Sequence, residues 1–115
     1  MLLLLIGLSV AGCKTVARDY TITYPAGLIS EHPKGFLGYY VRVIGILTEK
    51  RPQDLFPPYP GDPLVCDNSG CVYVHYDYGD ISKYLGKKVK VIGYVSVTTF
   101  NFPYIDAVKV VPLEE

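Results

Sequence analysis

Two segments of the chain share one pattern of alternating apolar and basic positions. They read GYYVRVIG over residues 38–45 and GKKVKVIG over residues 86–93. Valine at every second position, with a basic residue between, has the period of a half-buried β-strand. Each segment ends in glycine, a residue type found where strands bulge or bend. Two long, bent strands in one small domain predict a closed barrel.

The rest of the pattern predicts three more barrel strands and one short helix. In Tyr40–Val43, alternation places the two valines inward and Tyr40 and Arg42 outward. A helix of one to two turns is predicted over residues 80–86, because Asp80 suits the N-cap and Gly86 the C′ position. The predicted barrel strands cover residues 36–50, 64–67, 71–77, 88–98 and 104–112.

Two segments outside these strands have predictable backbones. Residues 19–24 alternate and predict an edge strand, PAG at 25–27 predicts a turn, and residues 28–30 are expected to continue onto the barrel. Residues 51–63 contain five prolines, which cannot donate ladder hydrogen bonds. They predict a stiff loop that carries Phe56 and Tyr59.

The order of strand, proline loop, hairpin, short helix, strand, turn and strand resembles that of an OB-fold. The motifs GxxVxVxG at 38–45, DNSG at 67–70, LGKKVxVxG at 85–93 and PYIxA at 103–107 are similar to OB domains of the nucleic-acid-binding type. The resemblance covers residues 36–112. It implies an all-β, five-stranded Greek-key barrel with one short helix between strands 3 and 4. It also implies a ligand face on the second and third strands, bordered by the loops after the first and fourth.

The N-terminus predicts targeting rather than folded structure. An apolar run over residues 2–10 is followed by VAGC at 10–13, which resembles the lipobox of bacterial and archaeal lipoproteins. About a dozen residues span only ~18 Å as a helix, which is too short for a ~30 Å membrane core. They suit a signal h-region, although no Lys or Arg precedes them, so either the signal is minimal or the true start lies upstream. The alternative is a hydrophobic strand with an incidental cysteine.

This interpretation divides the chain into three parts and predicts its cellular location. Residues 1–12 are expected to be a signal peptide, residues 13–27 a tether, and residues 28–115 the OB-fold domain. Cleavage would leave Cys13 as the lipidated first residue. We therefore expect a protein anchored in the cell membrane through lipid on Cys13, on the extracytoplasmic face.

The other two cysteines predict a disulfide bond. Cys66 and Cys71 bracket a four-residue turn, where they would face each other across a hairpin. Outside the cytoplasm such a pair is ordinarily oxidised. The alternative is a metal half-site, but no second pair of ligands is present to complete a tetrahedron.

The sequence offers little for catalysis. It contains no glycine-rich phosphate loop, nucleophile elbow or His-Glu-x-x-His motif. Asp77 and Asp80 lie close in sequence, but more simply end a strand and cap a helix. We expect no enzyme activity, no cofactor and no metal.

The residues expected to bind a ligand follow from the implied face and its two loops. Alternation places Tyr73 and His75 outward on their strand, although a solvated His75 without a ligand is the simpler interpretation. Aromatic side chains at exposed positions stack on bases, sugars or other side chains. The alternative for the phenylalanines is that they cap the barrel ends. The expected ligand-binding residues are Arg42, Phe56, Tyr59, Tyr73, His75, Phe100 and Phe102.

Three classes of function remain after these exclusions. The first is an anchored binding module for a protein, glycan or other polymer. The second is a single-stranded nucleic-acid-binding domain, which net charge disfavours because the 11 basic residues balance 11 acidic ones. The third is a structural or assembly lipoprotein without a discrete ligand.

The anchor can be tested directly. Cys13→Ser should remain unprocessed or leave the membrane, because the modified thiol is removed. Partition into detergent, together with the mass of the wild-type N-terminus, measures this. Membrane retention of a normally processed Cys13→Ser protein would contradict the lipoprotein interpretation.

Overall fold

The computed structural model of the protein describes residues 21–32, 34–49 and 57–113. The elements within these ranges are β1 (Ile22–Thr23), α1 (Ala26–Glu31), β2 (Tyr40–Thr48), β3 (Leu64–Asp67), β4 (Gly70–Tyr76), a 3-10 helix (Ser82–Tyr84), β5 (Lys88–Val97) and β6 (Pro103–Pro112). Across the described part of the chain, no helix is both long enough and apolar enough to cross a membrane.

Five of the strands form a closed barrel. Their order is β2–β3–β4–β6–β5, and β5 pairs back onto β2. The pair β4–β6 is parallel and the other four barrel pairs are antiparallel. With the 3-10 helix between the third and fourth barrel strands, this is the predicted OB-type Greek key. The all-β fold class is therefore confirmed.

The alternating valines fill the barrel as their period predicts. Val41 and Val43 of β2 are fully buried, as are Val89 and Val91 of β5. Tyr40 lies on the outer face of β2. Among the described residues, none that is buried is polar or charged. Burial of apolar area therefore drives closure of the barrel.

The two glycines that end the repeated segments lie where the barrel strands crowd each other. A Cβ atom on Gly45 would overlap the carbonyl oxygen of Cys66, at the point where β2 begins to pair with β3 as well as β5. A Cβ on Gly93 would overlap the carbonyl oxygen of Asp106, at a register shift between β5 and β6. The predicted bend and bulge therefore both occur, and glycine is required by close backbone approach.

The N-terminal elements differ from expectation after residue 24. The predicted edge strand is present as β1, which pairs parallel with β2. Pro25 and the residues after it were expected to turn and continue onto the barrel, and this is wrong because Ala26–Glu31 forms α1. Ala26 and Ile29 of this helix are fully buried in the barrel core. A short helix therefore packs within the span that the sequence assigned to tether and strand.

The cause of the missed helix lies more than 40 residues away in the chain. The backbone N–H of Ala26 donates to Asp67 Oδ2 at 2.9 Å, and that of Gly27 donates to Ser69 Oγ at 2.7 Å. Pro25, at the N-cap, provides no side-chain hydrogen bond. The β3–β4 turn thus caps α1 from a distance, so no local capping signal exists in the sequence.

The carboxylate of Asp67 is adapted to this capping role. Burial opposes its ionisation, but hydrogen bonds from Ser69, Ala26 and Gly70 outweigh burial and lower the pKa of Asp67 below its ordinary 3.8. A depressed carboxyl pKa adds stability that is present above pH 3.8 and is lost as the pH falls through the folded-state pKa. The junction between α1 and the turn is therefore acid-sensitive.

The predicted helix after β4 is present but shorter than expected. Asp80 Oδ1 accepts hydrogen bonds from the N–H of Ser82 at 2.9 Å and from its hydroxyl at 2.7 Å. The helix covers Ser82–Tyr84 and stops at Leu85, whose ψ of 133° is extended. Ile81 is buried in the core cluster. The N–H of Gly86 then donates to the Leu47 carbonyl at 2.8 Å, which returns the chain to the barrel.

The crowding at Gly45 leads to a stability prediction. Gly45→Ala should lower the free energy of unfolding by about 3 kcal/mol, the upper part of the range for overpacking, because the new methyl group meets backbone that cannot rotate away. Gly79→Ala is the matched control, since a Cβ there would meet only Tyr76 Cε2 at 3.6 Å. Urea unfolding of both variants measures the difference. Equal stabilities would show that β2 and β3 do not approach as described.

Candidate ligand-binding groove

The hairpin that carries the proposed ligand face is cross-linked. Cys66 of β3 and Cys71 of β4 are directly paired in register, with Cα atoms 4.1 Å apart, and form a disulfide bond. The predicted disulfide is therefore confirmed. Its small loop constrains the unfolded chain only modestly, so its main local effect is to tie the two strands at the turn that caps α1.

The loops after β2 and β5 meet in one groove beside this hairpin. Residues 57–59 form one side, residues 97–100 form the other, and Tyr104 of β6 also lines it. The cavity has a volume of about 320 Å³. Tyr104 pairs in register with Tyr73 of β4, so the groove continues onto the outer face of the sheet. The two loops that the resemblance assigned to ligand binding are thus brought together.

The β5–β6 loop displays its aromatic side chains through a tight turn. Thr98 Oγ1 accepts hydrogen bonds from the N–H groups of Phe100, at 3.2 Å, and Phe102, at 3.1 Å. Asn101 takes a left-handed φ of 71°, a conformation that asparagine tolerates. Phe100 is 64% exposed and Phe102 is 40% exposed. The mostly exposed Phe100 therefore does not cap a barrel end.

On the opposite side of the groove, residues of the loop after β2 form a compact cluster around His75 of β4. The ring of Tyr59 stacks on the imidazole with centroids 3.9 Å apart. Asp62 Oδ2 lies 2.9 Å from Nδ1 of His75, and Asp77 Oδ1 lies 2.7 Å from Nε2. The His75 side chain is only 14% exposed. The expectation of a solvated histidine is wrong, because one loop covers the ring and carboxylates occupy both nitrogens.

The electrostatics of this cluster favour a charged imidazole. Burial opposes protonation of His75, but the hydrogen bonds and charges of Asp62 and Asp77 outweigh burial and raise the pKa of His75 above 6.5. Burial also raises the pKa of Asp62 above 3.8, and its hydrogen bond and ion pair with His75 oppose that rise. The pair is therefore fully charged above the pKa of Asp62 and below that of His75.

Aromatic side chains continue from the cluster across the outer face of the barrel. His75 lies opposite Asp106 of β6 in register, and Asp106 lies opposite Tyr94 of β5. Tyr94 in turn contacts Tyr40 of β2, with ring centroids 4.8 Å apart. Tyr94 and Tyr40 are 51% and 44% exposed. The groove is thus one end of a longer surface on which planar groups are available for stacking.

The charge around the groove is one-sided. Residues 57–77 and 94–106, which include the groove, the β3–β4 hairpin and the adjoining parts of β5 and β6, contain no Lys or Arg. They contain four aspartates, of which Asp62, Asp77 and Asp106 belong to or face the His75 cluster. Polyanion-binding surfaces carry the opposite sign.

A second, acidic cleft is lined in part by Asp62. It has a volume of about 330 Å³, and Glu49, Asp62 and Asp80 contribute its carboxylates. Within the described ranges, no three side chains among His, Cys, Asp and Glu come together in an arrangement suited to a metal ion.

The structure brings together four of the predicted ligand-binding residues. Tyr59, Tyr73, His75 and Phe100 lie in or beside the groove, and Phe102 lies on the same loop as Phe100. Arg42 lies where β2 pairs with both β1 and β5, and its Nε donates to Thr23 Oγ1 at 2.7 Å. The predictions for Phe56 and Cys13 fall outside the described residues.

Sequence reasoning did not identify Tyr104, Tyr94 or Asp62 as part of this surface. For Tyr104 and Tyr94 a signal was present, because alternation with the buried Ile105 and Val95 puts both tyrosines on the outer face. For Asp62 there was none, since its pairing with His75 depends on where the folded chain places residues 59–62.

Comparisons with known proteins support the fold. No model of a known protein family matches the sequence, and no curated protein matches it. The hypothetical protein ygiW from E. coli is similar in structure, with a TM-score of 0.53 and 17% identity over 84% of this chain and 99% of that one. The second OB-fold domain of replication protein A from Methanococcus maripaludis has a TM-score of 0.51 and 13% identity, over 81% of this chain and 96% of that one.

A DUF3299 family protein from Pseudomonas aeruginosa PAO1 is a more distant likeness. Its TM-score is 0.47 with 18% identity, and the match covers 71% of this chain and 66% of that one. At such identities the likenesses to ygiW and the replication protein A domain concern the backbone alone. The fold and these two likenesses define the protein as an OB-type barrel, and what such a barrel binds is decided by its side chains.

The groove aromatics should contribute little to stability. Phe100→Ala should change the free energy of unfolding by no more than about 0.5 kcal/mol, because the side chain is mostly exposed. Tyr59→Ala should cost about 1 kcal/mol through the lost stacking on His75. Ile105→Ala, in the core beside Tyr104, is the contrasting control and should cost about 2 to 5 kcal/mol. Urea unfolding compares them, and a Phe100→Ala loss as large as that of Ile105→Ala would place Phe100 in the core.

Proposed function

We propose that the protein is a membrane-anchored, extracytoplasmic OB-type binding module whose groove takes a neutral or cationic polymer, a glycan or a polypeptide. The observation that carries this proposal is the meeting of the two loops at one groove, with Tyr59 and Phe100 exposed on opposite sides. Exposed aromatic side chains on rigid turns give a ligand a large contact area at small entropic cost.

The proposed anchor rests on the sequence of the N-terminus. The small residues before Cys13 resemble a lipobox, and the apolar run before them suits a signal sequence. The disulfide between Cys66 and Cys71 fits an oxidising, extracytoplasmic location, because such bonds are rare in the cytosol.

The sign of the charge around the groove limits the class of ligand. A polyanion approaching the groove would meet Asp62, Asp77 and Asp106 without a neighbouring Lys or Arg from residues 57–77 or 94–106. Neutral sugars stack on tyrosine, and lysine or arginine side chains bind both aromatic faces and carboxylates. Both of these ligand classes are therefore compatible with the surface.

The second candidate function is binding of single-stranded nucleic acid. It is favoured by one observation, the likeness to an OB-fold domain of replication protein A. Bases would stack on Tyr59, Phe100 and Tyr104 as they do on other aromatic platforms. This function differs from the first in its dependence on salt, since phosphate binding releases counterions.

We assign the groove a role in binding rather than in catalysis. His75 is the one imidazole of the cluster, and carboxylates occupy both of its nitrogens. A general base needs a nitrogen available to the proton that it removes.

Binding can be tested with three probes on the full-length protein in detergent micelles. Chitohexaose, octalysine and a 12-residue oligothymidylate represent neutral, cationic and anionic polymers. Chitohexaose or octalysine should perturb the NMR signals of Tyr59, Phe100 and Tyr104, and the oligothymidylate should bind more weakly. Phe100→Ala should weaken binding by about fivefold, which corresponds to roughly 1 kcal/mol.

The matched control is Tyr78→Ala. Tyr78 is 72% exposed but does not line the groove, so its removal should leave the affinity unchanged. Tight oligothymidylate binding that falls steeply with salt would support the second candidate instead. No perturbation of the groove by any of the three probes would contradict the proposal and favour a structural lipoprotein.

A further inference from the structure

One side of the groove is joined to β4 through the side chain of His75. Tyr59 lines the groove and stacks on the imidazole at 3.9 Å. Three residues further on, Asp62 binds Nδ1 of the same ring at 2.9 Å. The N–H of Asp62 also donates to the Tyr59 carbonyl at 3.1 Å, which links the two contacts into one turn. Movement of the His75 contacts would therefore move the side of the groove that Tyr59 forms.

Both contacts of the ring nitrogens require a protonated histidine. Ionised carboxylates only accept hydrogen bonds, and a neutral imidazole has a single N–H. Asp62 lies at Nδ1 and Asp77 lies at Nε2, so each nitrogen must carry a proton to donate to its carboxylate. When the ring is neutral, one nitrogen lone pair faces a carboxylate oxygen, and that contact becomes repulsive.

We propose that His75 is a pH-operated latch on the binding groove: as the imidazolium it holds residues 59–62 against β4, and when it loses its proton these residues are released. This inference rests on the proposed function, because it concerns access to the same groove. It assigns His75 a positioning role rather than direct contact with the ligand.

The ionisable groups around His75 set the sign of the response. The loop contributes Tyr59 and Asp62, the end of β4 contributes Asp77, and β6 contributes Asp106 opposite the ring. Tyr73 lies two residues before His75 on the same face, and Tyr104 is its partner on β6. All of these groups are neutral or negative, and residues 57–77 and 94–106, in which they lie, contain no Lys or Arg. They favour the imidazolium over the neutral ring.

The two pKa shifts define the pH range in which the latch is closed. Since the pKa of His75 is raised above 6.5, the stabilisation is complete below pH 6.5 and is lost as pH rises through the folded-state pKa. Since burial raises the pKa of Asp62 above 3.8, its charge is lost when the pH falls through that higher value. The latch is therefore closed in mildly acidic solution and opens as the pH rises through the pKa of His75, whereas a fall through the pKa of Asp62 removes the ion pair.

The chain provides its own control because it contains two histidines, His75 and the exposed His32. NMR of the full-length protein in micelles can follow the ring signals of both histidines and the Tyr59–His75 cross-relaxation between about pH 5 and about pH 9, the range in which histidine titrates. We expect the Tyr59–His75 signal to disappear in a transition centred above pH 6.5. His32→Gln should keep this transition, and His75→Gln should abolish it.

Two conservative variants separate the latch from a purely structural role. Asp62→Asn and Asp77→Asn keep the shape of the carboxylates but remove their charge, so each should shift the loop transition to lower pH. Because these measurements need no ligand, the latch and the binding function can fail independently. A loop that stays in contact with β4 after the His75 ring has titrated would overturn the proposal. So would a loop transition unchanged in both variants.

Discussion

Closure of the barrel depends on how closely its backbones can approach at two glycines. β2 must leave β5 and join β3 around Gly45, and β5 must pass a bulge in β6 at Gly93. At both places a side chain would overlap a carbonyl oxygen of the neighbouring strand. The valines that alternate along these strands can fill the interior only because the strands bend there. The repeated sequence therefore encodes both the apolar face and the point of curvature.

Barrel closure also determines where the groove and its aromatic side chains lie. In the strand order β2–β3–β4–β6–β5, β6 lies between β4 and β5, so the outward side chains of the hairpin and of the β5–β6 pair share one continuous face. Residues 57–59 and the β5–β6 loop then border that face. Tyr59 and Phe100 are 41 positions apart in sequence yet line the same groove. A groove of this kind follows from topology rather than from any local motif.

The His75 cluster gives this surface a feature that an OB-type barrel does not need for folding. Two carboxylates and a tyrosine ring converge on one mostly buried imidazole, and all three contacts involve either the loop or the end of β4. Charged hydrogen bonds of this type are stronger than neutral ones. Their strength depends on the proton, so the groove is coupled to pH through the residue that shapes it.

The sequence by itself determined the barrel, its bends, its disulfide and the outward direction of Tyr40 and Tyr73, because each follows from local alternation or spacing. The tertiary structure alone decided the elements that depend on distant partners. The first N–H groups of helix α1 donate to the side chains of Asp67 and Ser69, and no local capping residue near Pro25 predicts the helix. The alternation of β4 predicts a solvated His75, whereas in the folded chain Asp62 lies beside the ring and the side chain is mostly buried. Local patterns predict what a segment buries, whereas caps and ion pairs across 13 to 42 residues appear only when the chain has folded.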